Sequence, residues 1–122
     1  MRVIHCLGHT VFDTVTEFMA KQHFYVRLIP PRPTFASDMN ADERAVMQQH
    51  GVYFRGLFDQ GKVLVFGPVL DPTDNFGMAV LEVADISEAQ QVMEHDPTVV
   101  AGMNRFRISP MVVGAARAKE EG

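Results

Sequence analysis

Residues 62–83 read KVLVFGPVLDPTDNFGMAVLEV. The first part, 62–70, is almost wholly apolar and rich in β-branched side chains, which suit a pleated, packed surface. Asp71-Pro72-Thr73-Asp74-Asn75 then gathers turn chemistry: proline presets φ, and the Asp and Asn side chains bond to nearby backbone. Residues 76–83 return as a second strand, so the stretch predicts a β-hairpin. What the hairpin means depends on what flanks it.

On its N-terminal side, residues 23–29 are aromatic and β-branched and stop at Pro30-Pro31, which predicts a strand ended by proline. A loop through Pro33 follows. Asn40 and Glu43 stand at capping-box spacing, predicting a helix over about 41–60 with Gly61 as its left-handed stop. On the C-terminal side, Ser87 and Gln90 suggest a second capping box. That helix should end near His95, because Asp96 precedes Pro97 and is pushed out of helical geometry. Residues 98–101 fit one further turn closed by Gly102. Residues 103–108 form the last strand, with an extension past Pro110 toward Val113.

The order is strand, helix, strand, strand, helix, strand. This predicts an α+β fold, the ferredoxin-like βαββαβ sandwich, with a four-stranded antiparallel sheet and two helices on one face. A sheet wet on one side should alternate apolar and polar residues. Here Val63, Leu64, Val65 and Phe66, and Phe76, Met78 and Val80 with Ala79 and Leu81, offer apolar groups to both faces. Such a surface needs a cover. The expected one is the same sheet of a second copy, giving a homodimer, with the N-terminal segment as the other candidate.

The chain of 122 residues, 47% hydrophobic, suffices for one domain with a real core and is too short for two ordinary catalytic domains. Its formal charge of −4, without any basic run, argues against a nucleic-acid partner. No apolar stretch approaches the roughly 18–20 residues that cross a bilayer, so no membrane partner is expected. The single cysteine, Cys6, cannot form an internal disulfide, which points to a reducing, cytoplasmic setting. Residues 1–18 read as an N-terminal extension in which Val11, Val15 and Phe18 make one stripe of a short helix capped by Thr10. Docking on the domain, binding a partner, and lying upstream of a start at Met19 all remain open for it. The domain itself spans 19–113, and residues 114–122 read as a flexible tail.

Two residues stand out chemically. His50 falls in the apolar stripe of the long helix, four after Val46 and four before Phe54. Asp96 sits where the chain leaves the second helix toward the sheet. A carboxylate beside an imidazole fixes its tautomer and frees the other nitrogen as a general base. The plain alternatives are a core histidine bonded to a backbone carbonyl, which spacing alone favours, and an Asp-Pro that only ends a helix. Arg27 and Arg32 are candidates to hold an anionic group, though a surface ion pair is the favoured reading of each. Gly67-Pro68, inside an apolar strand, suggests a bulge or a close approach of backbone to a ligand. His5, Cys6 and His9 lack a further partner at ligand spacing, so no metal is expected. The eight methionines read as fillers of core gaps. Phosphate-loop, dinucleotide and nucleophile-elbow motifs are absent from the sequence, and no cofactor is expected.

His50, Phe54, Leu57 and Gly61, then Gly67-Pro68, then Asp96-Pro97 and Gly102, together resemble the YCII-related (YciI-like) family, over roughly residues 24–113. The resemblance implies a dimeric α+β barrel and a His–Asp pair in a pocket between helices and sheet, here His50 and Asp96. It implies a small-molecule enzyme of isomerase or lyase type acting on a cyclic, aromatic or carbonyl compound without metal or cofactor. Phe54, Phe66 and the Gly67-Pro68 backbone would line the site, and Arg32 would hold an anionic group. A non-catalytic, dimeric metabolite-binding or accessory module is the alternative.

Overall fold

The computed structural model describes residues 21–117. The N-terminal stripe, the His5, Cys6 and His9 group and the end of the tail lie outside them. Within them the chain runs β1 (Gln22–Ile29), α1 (Phe35–Asp38), α2 (Ala41–Asp59), β2 (Val63–Val69), β3 (Phe76–Val83), α3 (Ile86–Glu94), α4 (Pro97–Val100) and β4 (Arg105–Met111). The four strands form one antiparallel sheet in the order β2-β3-β1-β4. This is the ferredoxin-like α+β arrangement that the element order predicts.

Local chemistry explains the long helix. The Asn40 side chain accepts from the Glu43 amide at 2.8 Å, and the Glu43 carboxylate accepts from the Asn40 amide at 2.9 Å, completing the expected capping box. At the far end Gly61 adopts φ +82°, its amide bonds Phe58 O, and the Lys62 amide bonds Leu57 O. That pair of bonds is a Schellman stop, and the left-handed residue in it favours glycine.

The sheet alternates cleanly in β1. Phe24, Val26 and Leu28 are buried under the helices with Ala79, Leu81 and Val83 of β3, and they pack with Phe54 and Leu57 of α2 and Ala89, Val92 and Met93 of α3. The opposite face is divided. Val65, Met78 and Val80 supply an apolar half on β2 and β3, Val65 being 49% exposed. Toward β4, Arg27 faces Arg107 and Tyr25 faces Ser109 across the ladder, so that half is polar.

Several boundaries differ from expectation, each for a local reason. α3 is capped two residues earlier than Ser87: Asp85 accepts from the Glu88 amide, and Glu88 reaches back to the Ala84 amide, both at 2.9 Å. The acidic pair outcompetes Ser87 and Gln90 as a cap. The bulge in β2 falls between Val63 and Val65, not at Gly67-Pro68, which pair in regular register with Met78 and Gly77. The bulge lets Val63 and Phe66 both pack on the helix side, which accounts for part of the two-faced apolar pattern of β2. Pro68 and Pro110 are tolerated because β2 and β4 are edge strands. Met103 and Asn104 do not begin β4; their amides return to Thr98 O at 2.9 and 3.1 Å, after Gly102 turns the chain at φ +73°. The loop after β1 contains a helical turn, α1, whose Phe35 is buried.

Candidate functional site

α2 lies across the sheet, and α4 packs beside it. Their meeting point is the pair His50 and Asp96. His50 Nδ1 lies 2.8 Å from Asp96 Oδ2. Asp96 is 0% exposed, and its other oxygen accepts from the Thr98 amide at 2.9 Å and the Thr98 hydroxyl at 3.0 Å. Asp96 is therefore both the N-cap of α4 and the partner of His50. Both plain alternatives, a backbone-bonded histidine and a carboxylate used only as a cap, fall short of this geometry. A carboxylate only accepts, so Nδ1 carries the hydrogen, and in the neutral ring Nε2 then holds the lone pair.

The surroundings fix the pair. The His50 ring stands 4.8 Å from Phe54, and Phe54 stands 5.6 Å from Phe66, forming a ladder from α2 down to β2. Tyr53 donates to Val92 O at 2.6 Å and ties α2 to α3. Burial, and then the charge of Asp96, push the Tyr53 phenol pKa upward, so the tether stays protonated.

His50, Phe54, Phe66, Gly67 and Pro68 all line one cavity of about 400 Å³ between the helices and the sheet. Its other walls are mostly apolar, with Phe35 and Met39 from the α1 segment and Met47 from α2 among them. This volume suits a small molecule. Asp96 stands behind His50 and is not part of the wall. Asn104 is part of it, and its Oδ1 is buried without a partner among the described residues. An unsatisfied buried carbonyl typically costs about 1–3 kcal/mol.

Arg32 is placed elsewhere. Its guanidinium grips Glu43 through two bonds of 2.9 and 2.8 Å, and its Nε donates to Asp38 at 2.8 Å. It is not among the cavity-lining residues, and its charge is paired with Asp38 and Glu43. Arg32 thus clamps α1 against the start of α2, and α1 in turn supplies Phe35 and Ala36 to the wall. The Arg32 hydrogen bonds hold the Glu43 carboxyl down at about 2, and the Thr34 hydroxyl, then Arg32, holds the Asp38 carboxyl below its ordinary value. Arg27 is likewise spent, bonded to Asp74 with its guanidinium 3.7 Å above the Phe76 ring.

Thr98, Asn104, Met39 and Met47 are contributors that the sequence does not single out. For Thr98 a signal existed, because an Asp side chain commonly bonds the backbone two residues on. For Asn104 there was none. Among the described residues no group of three or more His, Cys, Asp or Glu is arranged to hold a metal, and no helix is long and apolar enough to cross a membrane.

The chain matches none of the curated proteins compared with it. The family model of the YCII-related domain matches residues 23–112, from the second residue of β1 to just past β4, and so takes in all but the first residue of the sheet, the His–Asp pair and the cavity. On that match the chain belongs to the YCII-related family.

Proposed function

We propose that the protein is an enzyme in which His50 moves a proton on a small cyclic, aromatic or carbonyl compound, in an isomerisation or elimination. The observation that carries this reading is the 2.8 Å bond from His50 Nδ1 to a fully buried carboxylate, made by a histidine that also lines an apolar cavity. Asp96 orients the ring and favours the Nδ1–H tautomer, leaving Nε2 to accept a proton and later return it. The apolar walls exclude water and strengthen that exchange. Proton transfer of this kind uses only the imidazole, so the proposed reaction calls for no metal or cofactor. The test is turnover, or solvent proton exchange, across a panel of lactones and halogenated phenols. His50→Ala and Asp96→Asn should each lower the rate by about 10²–10⁴. Undiminished rates in both variants contradict the roles assigned. A panel that binds in the cavity without any exchange favours the non-catalytic binding module instead.

The proposal includes a second copy of the chain over the open sheet face. Its support is the half-exposed strip of Val65, Met78 and Val80, apolar groups on a face that the described residues leave uncovered. Val65→Asp with Val80→Asp should turn a dimer into a monomer in sedimentation. A wild type that already sediments as a monomer contradicts the pairing.

A further inference from the structure

Besides His50, two carboxamides line the cavity, Asn75 and Asn104; the Asn75 amide is turned toward the backbone oxygens of Asp71 and Val69. Asn104 is 5% exposed, lines the cavity, and has no partner for Oδ1 among the described residues. Among the described residues its Nδ2 meets only the Met47 thioether, 3.9 Å away, a weak acceptor. A native fold rarely leaves a buried carboxamide so poorly satisfied. Its position is nevertheless well fixed. The Asn104 amide bonds Thr98 O at 3.1 Å, and Thr98 is the residue whose amide and hydroxyl hold Asp96. One buried turn therefore positions both the carboxylate behind His50 and the carboxamide at the wall. Met47 lies three residues before His50 on α2, one turn along the same face, so Asn104 meets the helix face that carries the imidazole.

We propose that Asn104 is a ligand-binding residue: its carboxamide oxygen accepts a hydrogen bond from a hydroxyl or N–H of an uncharged, largely aromatic or cyclic ligand. The inference rests on the reading of this cavity as the substrate site and adds what the substrate must carry. Two observations set the class. An unpaired acceptor rewards a donor on the ligand. Among the described residues no Lys or Arg lines the cavity, and Arg32 is bound to Glu43 and Asp38, so a carboxylate entering these walls would lose its water without gaining a cation. The Met47 contact is weak enough for the carboxamide to exchange it for the ligand, and a methionine yields readily.

The test uses three probes of one shape, 2-naphthol, naphthalene and 2-naphthoate, titrated into the full chain at neutral pH. Naphthol should bind at least about tenfold tighter than naphthalene and than naphthoate. Asn104→Leu should cut the naphthol preference over naphthalene to within about threefold while naphthalene binding is unchanged; Asn104→Ala makes the same comparison should the leucine variant not fold. In the wild type, the Asn104 side-chain amide resonances should move with naphthol and stay still with naphthalene. Equal binding of naphthol and naphthalene, tighter binding of naphthoate, or a preference that survives in the Asn104 variants and is lost in His50→Ala overturns the assignment. An intact, Asn104-dependent preference with no catalysed proton exchange upholds it and counts against the catalytic reading alone.

Discussion

Thr98 grips Asp96 twice, its amide at 2.9 Å and its hydroxyl at 3.0 Å from the same carboxylate oxygen, so the oxygen facing His50 is aimed by a residue two positions along the chain. Thr98→Val keeps the shape and removes one of those bonds in a fully buried site. The expected loss is about 1–3 kcal/mol in urea unfolding, because Asp96 is left with one donor fewer where water does not reach. A variant as stable as the wild type would show that the hydroxyl does not hold the carboxylate.

Phe54, 2% exposed, is wedged between the His50 and Phe66 rings. Phe54→Ala should destabilise the fold by about 3–5 kcal/mol, through lost burial and the hole left behind. Phe54→Leu should cost clearly less. Denaturant midpoints at unchanged slope provide the comparison.

Two glycines at one end of α2 should respond in opposite directions. Gly56 is inside the helix, and a Cβ there meets nothing within 4 Å, so Gly56→Ala should stabilise by about 1 kcal/mol. Gly61 has as much room but sits at φ +82°, so Gly61→Ala should destabilise by about 1 kcal/mol or more. Thermal melts of the two variants read the signs directly.

The Arg32 clamp predicts an acid response. Folding lowers the Glu43 pKa from 4.5 to about 2, chiefly through the Arg32 hydrogen bonds. A carboxyl that binds its proton less readily when folded adds stability that is complete above the ordinary value and disappears as the pH falls toward 2. Between those limits the wild type should lose more stability than Glu43→Gln, which keeps an acceptor for the Asn40 amide. Melting temperatures that fall in parallel for the two proteins would contradict the clamp.

Much of this was legible before the structure, because local chemistry was decisive. Asn40, Glu43 and Gly61 bound α2 by hydrogen bonds within a few residues, and the Asp71–Asn75 turn bounds the hairpin in the same way. Elsewhere the deciding interactions are distant. Asp71-Pro72-Thr73 and Asp96-Pro97-Thr98 share three residue types and one bonding pattern, each Asp Oδ1 taking the Thr amide and hydroxyl. One Asp is exposed in a loop and the other is sealed against a histidine 46 residues away. Nothing local separates them; the resemblance to a family did. The same limit applies to Asn104, whose role depends on Thr98 and Met47, and to Arg32, whose partners lie 6 and 11 residues on, beyond reach of the turn reading. The β2 bulge was misplaced because Gly67-Pro68 is the more conspicuous dipeptide, although an edge strand tolerates it without irregularity.

The central claim is that Asp96 holds the His50 ring with its hydrogen on Nδ1 and its lone pair on Nε2. Long-range ¹⁵N correlation spectra of the His50 ring, recorded where the ring is neutral, measure this without any substrate. The account predicts the Nδ1–H tautomer in the wild type and loss of that preference in Asp96→Asn. A wild-type ring protonated on Nε2, or a tautomer balance untouched by Asp96→Asn, would contradict it.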